Sequence, residues 1–113
     1  MAGKSPTQNS LAVLRALGYT CWICEHWDHF KQRRIDLFNV GDILALRDGE
    51  TLLVQTTTTG VSSRVKKITE SPYLDAIRKA GWRIEVHGWR KAPKVKGGKV
   101  EVWKQRIVDL SLG

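Results

Sequence analysis

The stretch that decides the fold, residues 41–59, reads GDILALRDGETLLVQTTTT. Two apolar runs flank Asp48-Gly49, and Asp-Gly between such runs predicts a β-hairpin closed by a type I′ turn, in which both central residues have φ > 0. Counting outward from this turn places Asp42 opposite Gln55. Directly opposed residues have Cβ atoms about 4.5–5.5 Å apart, so a polar pair is predicted at the open end. The complete predicted register is Arg47–Glu50, Leu46–Thr51, Ala45–Leu52, Leu44–Leu53, Ile43–Val54 and Asp42–Gln55.

The polar pair at the open end of the hairpin has the chemistry of a metal site. A carboxylate facing a carboxamide oxygen suits Mg²⁺, which takes oxygen ligands, keeps several waters and commonly binds one or two carboxylates plus a substrate phosphate. Thr57 lies two residues beyond Gln55 and shares its face. The reaction class implied is metal-assisted phosphodiester hydrolysis. Two alternatives stay open: Asp42 as a turn or capping acid, and Gln55 as a group that satisfies a buried hydrogen bond.

Composition and charge narrow the class of protein. The chain has 113 residues, of which 42% are hydrophobic and 27% charged, which predicts one globular domain over residues 1–113. The formal charge of +8 attracts polyanions, so nucleic acid or an anionic membrane surface leads the list of partners. The membrane is disfavoured because no basic helix has an adequate apolar face. Without a signal-peptide or transmembrane stretch, we expect an intracellular, cytoplasmic protein.

The remaining elements predict an α/β fold, with a single mixed β-sheet flanked by helices in the order α-β-β-β-α-β-β. Ser5 and Pro6 predict the start of a helix that Gly18 ends, and residues 1–4 are expected to be disordered. The other predicted elements are, in order, a strand over 19–27, a short edge strand around 34–38, a helix capped by Ser62 or Ser63, a helix begun by Ser71-Pro72 and ended by Gly81, a half-buried strand over 82–87, a basic loop over 88–99 and an edge strand over 100–110.

The cysteine and histidine residues near the N-terminus have a spacing that resembles a zinc cluster. Cys21 and Cys24 lie in a predicted strand, however, where residues three apart point to opposite faces, so the two thiols would diverge. We therefore predict two small buried cysteines. On similar grounds we predict surface or interface positions for His26, His29 and His87, and core positions for Trp22, Trp82 and Trp103.

A basic patch covers the C-terminal third of the chain. Residues 76–108 hold ten Lys or Arg and two acidic residues. The motif Trp89-Arg90-Lys91 opens the predicted basic loop, and loops that combine aromatic and basic residues bind the phosphate backbone and stack on unpaired bases. The alternative is a solvated charged face. The predicted nucleic-acid-binding residues are Arg33, Arg34, Arg64, Lys66, Trp89, Arg90, Lys91, Lys94 and Lys96.

Over residues 5–87 the chain resembles the PD-(D/E)XK nuclease superfamily, and within it the small Holliday-junction-resolvase-like proteins of archaea and phages. The likeness rests on the element order, on the Gly-Asp that opens the hairpin and on the polar triplet Gln55-Thr56-Thr57. In that superfamily the Asp and the acidic residue of an E-x-K triplet bind the metal, and the Lys positions the attacking water. Asp42 matches the Asp. The resemblance implies a restriction-endonuclease-like fold, a DNA endonuclease that uses Mg²⁺ or Mn²⁺, branched DNA as substrate, a homodimer and a phage or mobile-element origin.

The triplet departs from the pattern of the superfamily. Gln55 offers an oxygen without charge, and Thr57 has no ammonium group. Asp36 can supply the second carboxylate, with Glu25 a weaker choice, although Asp36 can instead pair with Arg33 or Arg34. The missing cation can come from Arg64, Lys66 or Lys67. The predicted catalytic set is thus Asp42, Gln55, Thr57, Asp36 and Lys67, and the metal set Asp42, Gln55 and Asp36. The alternative function is a nucleic-acid-binding protein on the same fold whose catalysis has decayed.

Overall fold

The computed structural model describes residues 5–111 as a five-stranded mixed sheet with helices on both faces and a separate two-stranded sheet. The elements are α1 Pro6–Ala16, β1 Thr20–Ile23, β2 His26–Asp28, β3 Arg33–Ile35, β4 Ile43–Arg47, β5 Glu50–Thr57, α2 Val61–Thr69, α3 Leu74–Lys79, β6 Arg83–Pro93 and β7 Glu101–Asp109. The strand order is β1-β4-β5-β6-β7, with β2 and β3 paired apart from it. The α/β class with a mixed sheet is confirmed, and the small second sheet is an addition to the prediction. Residues 1–4, expected to be disordered, lie outside the described part.

The β4–β5 hairpin has the predicted register from Arg47–Glu50 to Ile43–Val54. Its turn residues Asp48 and Gly49 have φ of +39° and +78°, as a type I′ turn requires. The tight turn fixes the pairing of every residue outward from it, so counting along the sequence is enough to find the partners.

Each face of the main sheet is covered by its own helices. The helix α1 begins with a capping box between Ser5 and Gln8 and ends before Gly18, whose φ is +92°, as predicted. Its residues Leu11 and Leu14 pack on one face of the hairpin. The helices α2 and α3 cover the other face, where Ile68, Leu74 and Ile77 pack on Leu53, Ile84 and Val86. No helix within residues 5–111 is long and apolar enough to cross a membrane.

The predicted strand over 19–27 is wrong as a single element. The strand β1 pairs with β4 up to Ile23–Ile43, and β2 then leaves the main sheet to pair with β3. The edge strand expected around 34–38 is β3, and it has no partner in the main sheet. Trp22, predicted in the core, is 74% exposed because it lies on the edge strand β1.

The predicted basic loop over 88–99 is wrong for residues 88–93, which continue β6. The strand β7 supplies ladder partners as far as Pro93–Glu101. Gly88 fits inside the strand because α2 crosses it closely: a Cβ there would lie 2.4 Å from Val61 Cγ2. The edge strand expected at residues 100–110 is confirmed as β7.

The helix cap predicted at Ser62 or Ser63 is wrong by two or three residues. The helix α2 begins at Val61 after Gly60, which makes no side-chain cap. Ser63 Oγ instead donates to the Gly60 carbonyl oxygen at 3.0 Å. The next helix, α3, is followed by Gly81 at φ +83°, as predicted.

Candidate functional site

Asp42 lies where three strands meet, just before β4. Its backbone N–H donates to Val54 O at 2.7 Å, and its carbonyl oxygen accepts from Cys24 N at 2.7 Å. Gly41 before it permits this close entry, because a Cβ there would lie 2.4 Å from Leu53 Cγ. The backbone of β1 and β5 thus fixes Asp42 from both sides.

The Asp42 carboxylate is buried and held by neutral donors. Its side chain is 4% exposed. Gln55 Nε2 donates to Oδ1 at 2.9 Å, while Thr56 donates to Oδ2 through its backbone N–H at 3.0 Å and its hydroxyl at 2.8 Å. The predicted convergence of Asp42 and Gln55 is confirmed. Since a carboxylate oxygen has two lone pairs, Oδ1 keeps one that is free.

Gln55 is only partly satisfied by this contact. It is 3% exposed, and its Oε1 is buried without a hydrogen-bond partner among the described residues. Buried polar atoms are rarely left without partners, because each costs about 1–3 kcal/mol. The carboxamide nitrogen therefore orients Asp42, and the oxygen is a candidate ligand atom.

Two further carboxylates join Asp42. One oxygen each of Glu25, Asp36 and Asp42 lie within 4.8 Å of one another. Glu25 follows Cys24, whose backbone N–H bonds to Asp42, and Asp36 directly follows β3. The structure thus brings both candidates for the second carboxylate close to Asp42: Asp36, and also Glu25, which was the weaker candidate in the sequence analysis.

Two of the three carboxylates are each paired with a cation. Lys67 Nζ lies 3.6 Å from Asp36, and Arg34 Nε lies 3.4 Å from Glu25. Asp42 has no cation within 4.0 Å in the described part of the chain. Burial raises the pKa of its carboxyl group, and the negative charge of Asp36 raises it further, against the hydrogen bonds from Thr56. The alternative pairing of Asp36 with Arg33 or Arg34 is replaced by the pair with Lys67.

This donor set fits a divalent cation of the hard type. The available atoms are carboxylate oxygens and the free Gln55 Oε1, the ligands that Mg²⁺, Mn²⁺ and Ca²⁺ prefer. A buried carboxylate without a cation within 4.0 Å and a buried oxygen without a hydrogen-bond partner are both conditions that such an ion would relieve. The predicted metal set of Asp42, Gln55 and Asp36 is therefore brought together in one place, with Glu25 added.

These groups line an open cleft of about 440 Å³, which we call the carboxylate cleft. Its wall includes Glu25, Asp36, Asp42, Gln55, Arg64 and Lys67, with Arg34, Thr57 and Thr58 beside them. Thr57 Oγ1 accepts from Gly60 N–H at 3.0 Å and so shapes the entry to α2. Sequence reasoning missed the contribution of Thr7, whose hydroxyl lies 3.1 Å from that of Thr56, because nothing local connects α1 to the triplet.

The predicted nucleic-acid-binding residues divide among several places. Arg34 and Arg64 line the carboxylate cleft. Arg33, Lys66, Lys94 and Lys96 are exposed outside it, and Lys91 lies over the Trp103 ring at 5.3 Å. Arg90 lines a second cleft of about 450 Å³, the basic cleft, whose wall includes Thr58, Ser62, Gly88, Arg90, Lys104 and Arg106.

Two predictions about the residues of β6 are wrong. Trp89 is 5% exposed, and its Nε1 donates to Ser10 Oγ at 2.8 Å, so its ring is not free to stack on a base. His87, expected at the surface, is 1% exposed. Its Nδ1 lies 2.8 Å from Ser10 Oγ and its Nε2 lies 2.9 Å from Glu85 Oε1. Both side chains lie on the face that α1 covers, which the strand sequence alone does not reveal.

The cysteines take no part in the candidate site. Cys21 and Cys24 are both free and half-buried, rather than fully buried as predicted. Burial raises the pKa of each thiol, which disfavours the thiolate that metal binding and redox chemistry need.

No protein-family model, no curated protein and no solved structure matches this chain.

Proposed function

We propose that the protein is a divalent-metal-dependent DNA endonuclease that hydrolyses phosphodiester bonds on a PD-(D/E)XK-type, restriction-endonuclease-like scaffold. The observation that carries the proposal is the convergence of Glu25, Asp36 and Asp42 in one cleft, which Gln55, with its unpartnered Oε1, also lines. The resemblance adds support, because Asp42 matches the Asp of the superfamily and Gln55 takes the place of the acidic residue of its triplet. The overall charge of +8 supports a polyanionic substrate.

The side chains of the carboxylate cleft have separable roles in this proposal. A bound Mg²⁺ or Mn²⁺ would polarise a phosphoryl oxygen and lower the pKa of a bound water. Gln55 and Thr56 hold the Asp42 carboxylate in place through their hydrogen bonds. Arg34, Arg64 and Lys67 line the same cleft and supply positive charge to a phosphate. Lys67 takes the place of the lysine that the triplet lacks.

A second candidate function is DNA binding without catalysis. It is favoured by the triplet itself, because the Thr57 hydroxyl already accepts a hydrogen bond from Gly60 and carries no charge. Lys67 is also engaged with Asp36 at 3.6 Å. In this alternative a bound cation would stabilise the fold and contact the DNA, but it would not take part in hydrolysis.

Cleavage of four-way-junction and linear duplex DNA separates the two candidates. We expect cutting in Mg²⁺ or Mn²⁺ and none in EDTA. The variant Asp42→Ala should lose about a thousandfold in rate, since a catalytic metal is worth several kcal/mol and each 1.36 kcal/mol is tenfold. Asp75→Ala is the matched control, because Asp75 is an exposed carboxylate paired with Lys79 on α3. DNA binding with no cutting in either metal would establish the second candidate.

The role of the helix cation is tested by two neighbouring lysines. Lys67 lines the carboxylate cleft, whereas Lys66 is exposed outside it. Lys67→Gln should therefore slow cleavage by at least tenfold, while Lys66→Gln, which removes the same charge from the same helix, should leave the rate near that of the wild type. Equal rates for the two variants would exclude Lys67 from the chemistry.

Branched-DNA preference and a homodimer belong to the same proposal, and the resemblance supports them. Faster cutting of the junction than of the linear duplex, at equal nucleotide concentration, is the expected result for substrate preference. Sedimentation of the protein alone and with junction DNA measures the number of chains. If the protein is a monomer and cuts both DNAs at the same rate, the preference for branched DNA and the homodimer are excluded. The proposal of a metal-dependent nuclease is unaffected by that result.

A further inference from the structure

The basic cleft lies on the same face of the sheet as the carboxylate cleft and meets it at Thr58. Thr58 lines both clefts. The missing side chain of Gly88 points toward Val61 of α2, so Gly88 and Arg90, two residues on, belong to the α2 face. Gln55 and Thr57 lie on that face too, since Leu53 packs there and side chains alternate. A chain seated in one cleft can therefore continue into the other.

Three cations are gathered in the basic cleft without acidic partners. Arg90 is directly opposite Lys104, and Gly88 is directly opposite Arg106, so all three side chains share one face. Each is exposed, and none forms an ion pair within the described residues. Like charges directly opposed across a ladder are destabilising. The arrangement therefore costs stability in the free protein and is relieved by an anion.

The start of α2 adds donors to the same cleft. Ser62 lines it, and the helix has no side-chain cap at Gly60. The first amide of this helix to bond to the preceding turn is that of Arg64, to Gly60 O at 2.9 Å. The uncapped first turn therefore presents N–H groups and a partial positive charge beside the three cations.

The basic cleft offers no exposed aromatic side chain, among the described residues, for stacking on bases. Among the described residues that line it, Trp89 is the one aromatic, and its ring is 5% exposed. Sequence-tolerant stacking needs an exposed aromatic face, whereas contacts from Arg, Lys and backbone N–H groups to phosphate position the nucleic acid without reading its sequence. Cations and backbone amides around an open cleft match phosphate groups instead.

We propose that the basic cleft binds backbone phosphates of the same DNA strand whose scissile phosphate occupies the carboxylate cleft, and that it does so without regard to sequence. This inference rests on the proposed function for the identity of the strand. It assigns a binding role to Lys104, Arg106 and the first turn of α2, and it makes Arg90 part of a defined subsite.

Salt-dependent DNA binding, measured by fluorescence anisotropy in EDTA, tests the subsite. The variant Lys104→Gln/Arg106→Gln should lower the log–log salt slope by about 0.9 for each duplex phosphate that the protein no longer neutralises. Two duplexes of unrelated sequence should show the same change. The control Arg15→Gln/Lys79→Gln removes the same charge from exposed positions outside both clefts, and its slope should stay within about 0.3 of the wild type.

The outcomes distinguish this inference from the proposed nuclease function. An unchanged slope for Lys104→Gln/Arg106→Gln, or an equal change in the control, overturns the subsite even if Asp42-dependent cleavage is observed. A slope that falls only in the cleft variant supports the subsite even if the protein never cuts DNA. Where cleavage occurs, the cleft variant should raise KM with kcat retained, since its residues bind DNA away from the reacting phosphate.

Discussion

The two ends of the β4–β5 hairpin each hold a carboxylate, and the charges around these two carboxylates differ in sign. At the turn end, Glu50 accepts a hydrogen bond from Tyr19 and pairs with Arg83 at 2.7 Å and Arg47 at 3.3 Å. At the open end, Asp42 has neutral donors and two neighbouring carboxylates. The hydrogen bond from Tyr19, followed by that from Arg83, lowers the pKa of Glu50, whereas burial raises the pKa of Asp42.

The difference separates a carboxylate that hydrogen bonds and cations stabilise from one that we propose as a metal ligand. Glu50 lies beside the guanidinium groups of Arg83 and Arg47, so its ionised form is favoured in the folded protein. Asp42 lies among groups that disfavour its negative charge, and Gln55, which donates to it, has an oxygen that nothing in the described part of the chain satisfies. A cation removes both defects at once, which is the physical basis for placing the candidate metal site at this end.

The largest expected effect is stabilisation by the metal itself. A divalent cation at one hundred times its Kd should raise the free energy of unfolding by about 2.7 kcal/mol. Thermal unfolding with and without Mg²⁺ or Mn²⁺ measures this change. Asp42→Asn should abolish the rise and Glu50→Gln should keep it. An equal rise in all three proteins would place the ion elsewhere.

Removal of the charge at the turn end should weaken the fold. Glu50→Gln loses charged hydrogen bonds to Arg83 and Arg47 at a partly exposed position, so we expect a loss of about 1–2 kcal/mol in urea unfolding at pH 7. Asp48→Asn is the control at the adjacent, exposed turn residue and should change stability by less than about 0.5 kcal/mol. If both variants have the same free energy of unfolding as the wild type, the cluster around Glu50 does not stabilise the fold.

The stabilising effect of Glu50 should depend on pH with a defined sign. Its pKa in the folded protein lies below the ordinary value of 4.5, so the stabilisation is present above that value and is lost as the pH falls through the lowered pKa. The difference between wild type and Glu50→Gln should therefore close between about pH 5 and about pH 3. Tyr19 and Arg83, whose pKa values are raised, keep their protonation states over this range. Arg47, which faces Glu50, and Glu85 and Asp109, which face Arg83, are present in both proteins. A constant difference would contradict the assignment.

The smallest expected effect is a gain in stability on removal of a carboxylate charge, opposite in sign to the loss expected for Glu50→Gln. In EDTA, Asp42→Asn should stabilise the protein by about 1 kcal/mol, because it removes one of three clustered negative charges. The oxygen of the new side chain can keep the bonds from Thr56, and its amide can donate to Gln55 Oε1 once the Gln55 carboxamide turns over. Asp42→Ala should instead destabilise it, since the donors of Thr56 and Gln55 would lose their acceptor. A loss of stability in Asp42→Asn would show that Asp42, like Glu50, is a structural carboxylate.

The hairpin and its polar pair could be predicted because their geometry is local. The Asp48-Gly49 turn sets the register, and the register sets the encounter of Asp42 with Gln55. The ends of α1 were equally predictable, since a cap residue and a glycine act within one turn of the helix. In each case the partners are close in sequence, and the residue types at the cap and the turn have known backbone preferences.

The rest depended on partners distant in the chain. Nothing near Cys24 indicates that the strand must stop there; it stops because β4 offers no partner beyond Asp42. That break is what delivers Glu25 to the cluster. The extension of β6 depends on β7, and the burial of His87 and Trp89 depends on α1, whose Ser10 bonds to both. Pattern along a strand cannot reveal which face a distant helix covers.

The parallel pairing of β5 with β6 has a consequence for the order in which the molecule assembles. The hairpin closes through a two-residue turn, whereas the parallel pair forms only when the whole crossover through α2 and α3 has docked, and contacts of long sequence separation form slowly. Both clefts meet at Thr58, where the crossover begins. Asp42 and Gln55 can therefore meet early, while the walls that would hold DNA against them are completed late in folding.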